Sequence, residues 1–260
     1  MGKKIVRDDN NSPFIGIIFC ESHEKLVPGR MLRGITTLRG LEGLKSPAAL
    51  LLLVVCLIRR EVVYFEEGGP EHTETTIDLA FRAAKELGIG KVVVASTTGE
   101  SGVKVAERFR GTNVKVIVVG HQFGYPTPGQ SRFKPENLER LRKLGAEVYL
   151  GTDVLTNSIR RMSTLGPSPM TLLTRALIMA GVKVNVEVVV KAADAGLVMP
   201  GERVISLAGS HWGLDTAVVI EAQDSVNILK LRVRETIAMP LSRRKADEEY
   251  MKRMRRDRGT

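Results

Sequence analysis

The chain has 260 residues and a formal net charge of +10, a length that suits one substantial core with an appendage. The charge sits at the ends: residues 1–60 carry +5, residues 61–240 only +1 and residues 241–260 +4. The near-neutral middle argues against a basic nucleic-acid groove on the folded domain. Two cysteines, Cys20 and Cys56, make neither a disulfide framework nor a Cys-rich zinc site, so a reducing cytoplasm is the expected compartment.

Residues 1–60 read as an N-terminal extension. Gly, Arg and Leu recur from Gly29 to Gly40 without a helical or strand period. Ala48 to Ile58 is an unbroken apolar run of eleven residues, short of the roughly 20 that a spanning helix needs. It also starts too far from Met1 for a signal peptide. No membrane association is expected. The run reads as a helix or strand packed on the domain; the sharper expectation is that the native start lies downstream and part of 1–60 is not native protein.

From Glu61 the pattern becomes regular and defines a domain over residues 61–240. Val62 to Phe65 reads as a strand, and Gly68-Gly69-Pro70 as a turn. Thr73, with Thr76 three residues on, is the expected N-cap of a helix through Leu87 that stops at Gly88. Strand 92–95 is followed by Ser96-Thr97-Thr98-Gly99 and a helix over 100–110 with Val103, Val105, Ala106 and Phe109 on one face. Val114 to Val119 forms the next strand. Pro135 opens a helix striped by Leu138, Leu141 and Leu144. Strand 147–150 precedes helical stretches at about 154–163, 169–181 and 185–195. Arg203 to Leu207, Thr216 to Glu221 and Glu235 to Ala238 complete the strands, and an Arg-rich tail covers 241–260. Strands alternating with helices of ten or more residues predict an α/β fold with a mostly parallel sheet.

In such a sheet ligands bind beyond the carboxyl ends of the strands. Four loops there carry small or polar residues. They are Ser96-Thr97-Thr98-Gly99, Gly120-His121-Gln122, Gly151-Thr152-Asp153 and Gly209-Ser210-His211-Trp212-Gly213. The first leads from a buried strand into a helix N-terminus, a local arrangement that favours a phosphate. Any one of these loops is explained as an ordinary tight turn; four together point to a shared pocket. His121 and His211 are its candidate proton carriers, although a lone loop histidine is more often a hydrogen-bonding or surface residue. Asp215 suits a ribose hydroxyl or a turn equally. Arg160 and Arg161 suit an anion contact, or simply an exposed helix face. The P-loop lysine and the G-x-S-x-G elbow are both missing, as are close-spaced metal-ligand motifs, so no metal is expected. Only ten Asn and Gln residues, beside abundant Arg, Lys, Glu and Val, lean towards a heat-adapted source.

Thr73 to Ala80, Val92 to Gly99, Val188 to Leu197, Gly201 to Gly209 and Asp215 to Ile220 resemble, in that order, the C-terminal domain of pyruvate kinase. They are more closely similar to a stand-alone archaeal and bacterial family built from that domain alone. The resemblance covers about residues 61–240 and implies a three-layer α/β/α sandwich on a mainly parallel five-stranded sheet. It also implies that the loop at Ser96 to Gly99 cradles a phosphate, as the matching pyruvate kinase loop cradles an effector's. The catalytic barrel of that enzyme has no counterpart in the sequence, so pyruvate kinase activity is not expected. Flavin mononucleotide is a candidate ligand, its phosphate at Ser96–Gly99 and its ring at the His121 and His211 loops. His72 stands where the family usually has Asn, and Trp212 where it has a smaller residue.

Three functions follow as expectations. The first is a domain that binds a phosphorylated small molecule, with flavin mononucleotide as candidate. The second is an enzyme acting on such a ligand through His121 or His211. The third, disfavoured by the charge distribution, is a nucleic-acid partner using the basic ends. A homo-oligomer is a candidate assembly state.

Overall fold

The computed structural model describes residues 17–21, 53–57, 60–125, 127, 129–154, 180–210 and 212–242. The chain divides into two compact units, Met1–Glu61 and Val62–Thr260. In the first, β1 (Ile17–Glu21) and β2 (Leu53–Leu57) pair in parallel, with Ile17 opposite Leu53 and Glu21 opposite Leu57. The described part of the long apolar run is therefore strand, as befits its β-branched Val54 and Val55. The helices expected at 154–163 and 169–181 lie outside the described residues apart from the ends of those ranges, as do Arg160 and Arg161. All but the first two residues of the basic tail lie outside them too.

The second unit is built on seven strands: β3 (Val63–Glu67), β4 (Lys91–Ala95), β5 (Lys115–His121), β6 (Glu147–Gly151), β7 (Arg203–Ala208), β8 (Thr216–Glu221) and β9 (Arg232–Ser242). They lie in the order β3-β9-β8-β7-β4-β5-β6. Only β8 runs against the others. The resemblance implied five strands. The seven observed are those that the hydrophobic pattern itself marks out, because β3 adds to β9 at one edge.

Period-two alternation divides the core. Val92, Val94, Val116, Val118, Ile205 and Leu207 face α1 (Thr73–Leu87), α2 (Glu100–Arg108) and α3 (Pro135–Lys143), meeting Ile77, Ala80, Val103, Ala106 and Leu141. Val93, Ile117, Val119, Val204, Val218 and Ile220 face the opposite layer, where α4 (Ala180–Asp194) supplies Val188, Val189 and Ala192. Helices on both faces make three layers, with the central strands buried on each side. Val92, Val93 and Val94 are all fully buried, each contributing about 1.5–3 kcal/mol. Helix α2 lies so close to β5 that a Cβ at Gly102 would stand 2.6 Å from Val118 Cγ1.

Two helix boundaries differ from expectation. Thr73 is the first residue of α1 and not its N-cap, a position that His72 takes without a side-chain capping bond. The Thr73 hydroxyl instead donates to Pro70 O at 2.7 Å and accepts from Leu214 N–H at 3.0 Å. Helix α4 is unbroken from Ala180 to Asp194, so the break expected between 181 and 185 is helical instead. The stop at Gly88 matches expectation, with the glycine left-handed at φ 60.

Candidate functional site

Strands β7, β4, β5 and β6 are consecutive neighbours, so the four polar loops that follow them share one edge of the sheet. The strand order reverses between β4 and β7: the chain runs from β4 outward through β5 to β6, then returns to β4's other side. That reversal is the position at which open α/β sheets form ligand crevices.

The β4 loop is shaped from within. The buried Ser96 hydroxyl accepts the Gly99 N–H at 3.1 Å and the Gly102 N–H at 3.3 Å, capping α2. Gly99 is left-handed at φ 92, with Phe133 and Asn137 beneath it. Asn137 Nδ2 and Lys134 N–H both donate to Thr98 O, at 2.9 and 3.1 Å. The loop's own cap thus occupies the Ser96 hydroxyl, and half-buried Thr97 and Thr98 form its accessible part. Gly120 leaves room for Phe133, whose Cδ2 would stand 3.2 Å from a Cβ there. A side chain that the sequence reading did not single out therefore packs between the β4 and β5 loops.

At the end of β5, His121 is 31% exposed and its Nδ1 lies 3.3 Å from Asp153 Oδ2, in the β6 loop. Its ring packs against Tyr125 with centroids 4.4 Å apart. Behind Asp153 lies Lys191 of α4, only 3% exposed, donating to Asp153 Oδ1 at 3.0 Å and Gly120 O at 2.7 Å. Burial pushes the Asp153 carboxyl up, but His121 beside it and then Lys191 overcome that and hold it well below the usual carboxylate range. Lys191 escaped the sequence reading. Its signal was a lone charge within the apolar stretch Val188 to Ala193, where an ammonium must find partners indoors. Thr152 is exposed, and Gln122 is half-buried with its Oε1 enclosed.

The β7–β8 loop is tied down at several points. Asp215 is completely buried and accepts from Ser210 N–H, the Ser210 hydroxyl and the Thr216 hydroxyl. As placed, it organises the loop. Gly213, left-handed at φ 72, sits where a Cβ would come within 2.5 Å of Pro70 Cα. Gly209 packs on the Gly213 carbonyl. His211 lies outside the described residues. Trp212 is 55% exposed, with the Arg132 guanidinium 6.0 Å from its ring centroid. His72 turns away to stack on Phe65, with centroids 4.0 Å apart, and its Nε2 lies 3.0 Å from Glu67 O.

The structure thus joins Gly120 and His121 to Asp153 and Lys191, and Ser210 to Asp215, while Phe133 lies between Gly99 and Gly120. Among the described residues no group of three or more His, Cys, Asp or Glu side chains could hold a metal ion. None of the helices described is long and apolar enough to cross a membrane. A cavity of about 550 Å³ opens elsewhere, along the β6 edge between Leu138, Arg142, Tyr149 and Leu197.

The family model of the pyruvate kinase alpha/beta domain matches residues 74–220. Solved structures similar to this chain include a pyruvate kinase from Cryptosporidium parvum, 14% identical over 58% of this chain and 23% of that one, with a TM-score of 0.34. A second C. parvum pyruvate kinase structure is 10% identical, covering 58% of this chain and 22% of its own, at a TM-score of 0.31. The C. parvum pyruvate kinase in complex with ADP is 14% identical, covering 63% and 23%, at 0.31. The chain spans less than a quarter of the length of each.

Proposed function

Because the chain belongs to the pyruvate kinase alpha/beta domain family, we propose that it is a ligand-binding domain for a phosphorylated small molecule, without pyruvate kinase activity of its own. The observation that carries this reading is the seat of the α2 N-terminus at the sheet's reversal point, behind half-buried Thr97 and Thr98. Backbone N–H groups, threonine hydroxyls and the helix dipole there favour a phosphate.

Flavin mononucleotide is the candidate ligand. The donor set fits its phosphate through Thr97 and Thr98. The exposed Trp212 indole and the His121 ring tilted against Tyr125 are planar groups suited to a ring. A cytoplasmic setting agrees with the sparse cysteines. A heat-adapted source agrees with the ion pairs Lys104–Glu74, Arg108–Asp78, Lys134–Glu100 and Arg140–Glu107, which lace α1, α2 and α3 together.

A second reading, an enzyme acting on the same ligand, draws support from the Asp153 carboxylate beside His121, the kind of partner that orients an acid–base imidazole.

Native mass spectrometry and absorbance of the gently purified protein test the proposal. The expected result is a co-purifying phosphorylated compound, with flavin absorbance near the visible blue if it is the flavin nucleotide. Protein that emerges empty, and stays empty when soaked with flavin mononucleotide, sugar phosphates and nucleotides in turn, overturns it.

A further inference from the structure

The Lys191–Asp153–His121 cluster has a charge balance that points beyond loop anchoring. Asp153 gives one carboxylate oxygen to each neighbour, Oδ1 to the Lys191 ammonium at 3.0 Å and Oδ2 towards His121 Nδ1 at 3.3 Å. Lys191 is almost wholly enclosed and also donates to the Gly120 carbonyl. With neutral His121 the cluster carries no net charge; with His121 protonated it carries +1. His121 Nδ1 itself is shut off from solvent and makes no hydrogen bond of good geometry, so its 3.3 Å approach to Asp153 Oδ2 is a charge contact, although the side chain is 31% exposed. The accessible part of the ring is therefore away from Asp153. A carboxylate on the inner nitrogen favours the tautomer with hydrogen on Nδ1, which leaves Nε2 as the atom that accepts a further proton. Lys191 neutralises the carboxylate, so an anion arriving at the loops meets a group able to gain positive charge.

We propose that His121 takes up a proton at Nε2 from solvent as a phosphate monoester binds at the neighbouring loops, with Asp153 and Lys191 as positioning residues. The inference rests on the phosphate reading above and adds to it a proton-coupled contact. Among the described residues, the charged or titratable groups beside the ring are Asp153 from the β6 loop, with Lys191 of α4 behind that carboxylate, and Tyr125 from its own loop. A purely structural clamp would hold the loops equally well but would not link binding to protonation.

The test is a pH titration of the histidine ring resonances in the full chain, with and without inorganic phosphate, against chloride at equal ionic strength. His121→Gln assigns the signal. Phosphate is expected to shift the Thr98 and Gly99 amides and to raise the His121 midpoint. In Asp153→Asn the phosphate-induced rise should shrink, because the carboxylate that holds the ring has gone. Shifted Thr98 and Gly99 amides with an unmoved His121 midpoint overturn the inference and leave the phosphate site standing. Unmoved amides together with an unmoved midpoint overturn both. If Asp153→Asn does not fold, the wild-type titration decides alone.

Discussion

The Ser210 hydroxyl donates to Asp215 Oδ2 at 2.6 Å, and the Ser210 N–H reaches the same carboxylate at 3.0 and 3.1 Å. With the Thr216 hydroxyl at 2.8 Å on Oδ1, a completely buried charge is met by a set of short-range donors. The β7–β8 loop owes its shape to that carboxylate. Asp215→Ala leaves three donors without an acceptor, a loss of at least about 3 kcal/mol at about one per orphaned group. Urea unfolding measures it, with Val226→Ala, 91% exposed, as a control expected within about 0.5 kcal/mol of wild type. An Asp215→Ala protein as stable as that control would show the carboxylate is not what holds the loop.

Gly102 is a packing requirement of the α2–β5 contact. Placing a Cβ 2.6 Å from Val118 Cγ1 forces the helix outward, so Gly102→Val should cost about 1–3 kcal/mol by overpacking. The Tm falls by several degrees, and trimming the partner in Gly102→Val/Val118→Ala recovers part of the loss. A double variant no better than the single one would place the strain elsewhere.

Asp153 makes stability depend on acid pH. Its folded carboxyl is held below its ordinary value, near 4 in an unfolded chain. The carboxylate therefore contributes stability that is present above about pH 4 and lost as pH falls towards the depressed folded value. Wild type should exceed Asp153→Asn in stability at pH 6, and the gap should narrow at pH 3. A gap of constant size across that range would mean that the ionisation contributes nothing.

Thr98 offers a separation of binding from folding. It is half-buried in the loop; its backbone oxygen holds α3, and its hydroxyl has only a long, exposed contact, 3.5 Å, from the Glu100 N–H. Thr98→Trp should therefore leave the circular dichroism unchanged while weakening flavin mononucleotide binding by about tenfold or more, equivalent to about 1.4 kcal/mol. Equal affinity in the variant removes the loop from the site.

Much of this fold is legible in the chain because local rules and burial agree. Val92 to Val94 could only be a strand enclosed on both faces, Pro135 opened a helix, and Gly88 ended one. Seven strands follow from apolar runs and the turns between them, whereas a family likeness suggested five. The site was legible only as a set of loops, since strand order decides which loops meet and no local pattern encodes it. Tertiary structure brought Lys191, a long way along the chain, under Gly120 and Asp153, and placed Phe133 against both Gly99 and Gly120. It also took the Thr73 hydroxyl from its expected cap and gave it to Leu214. Periodicity and turn chemistry determine elements because they act over a few residues. The partners of a buried polar group are chosen by the packing of distant elements, and only the assembled sheet settles them.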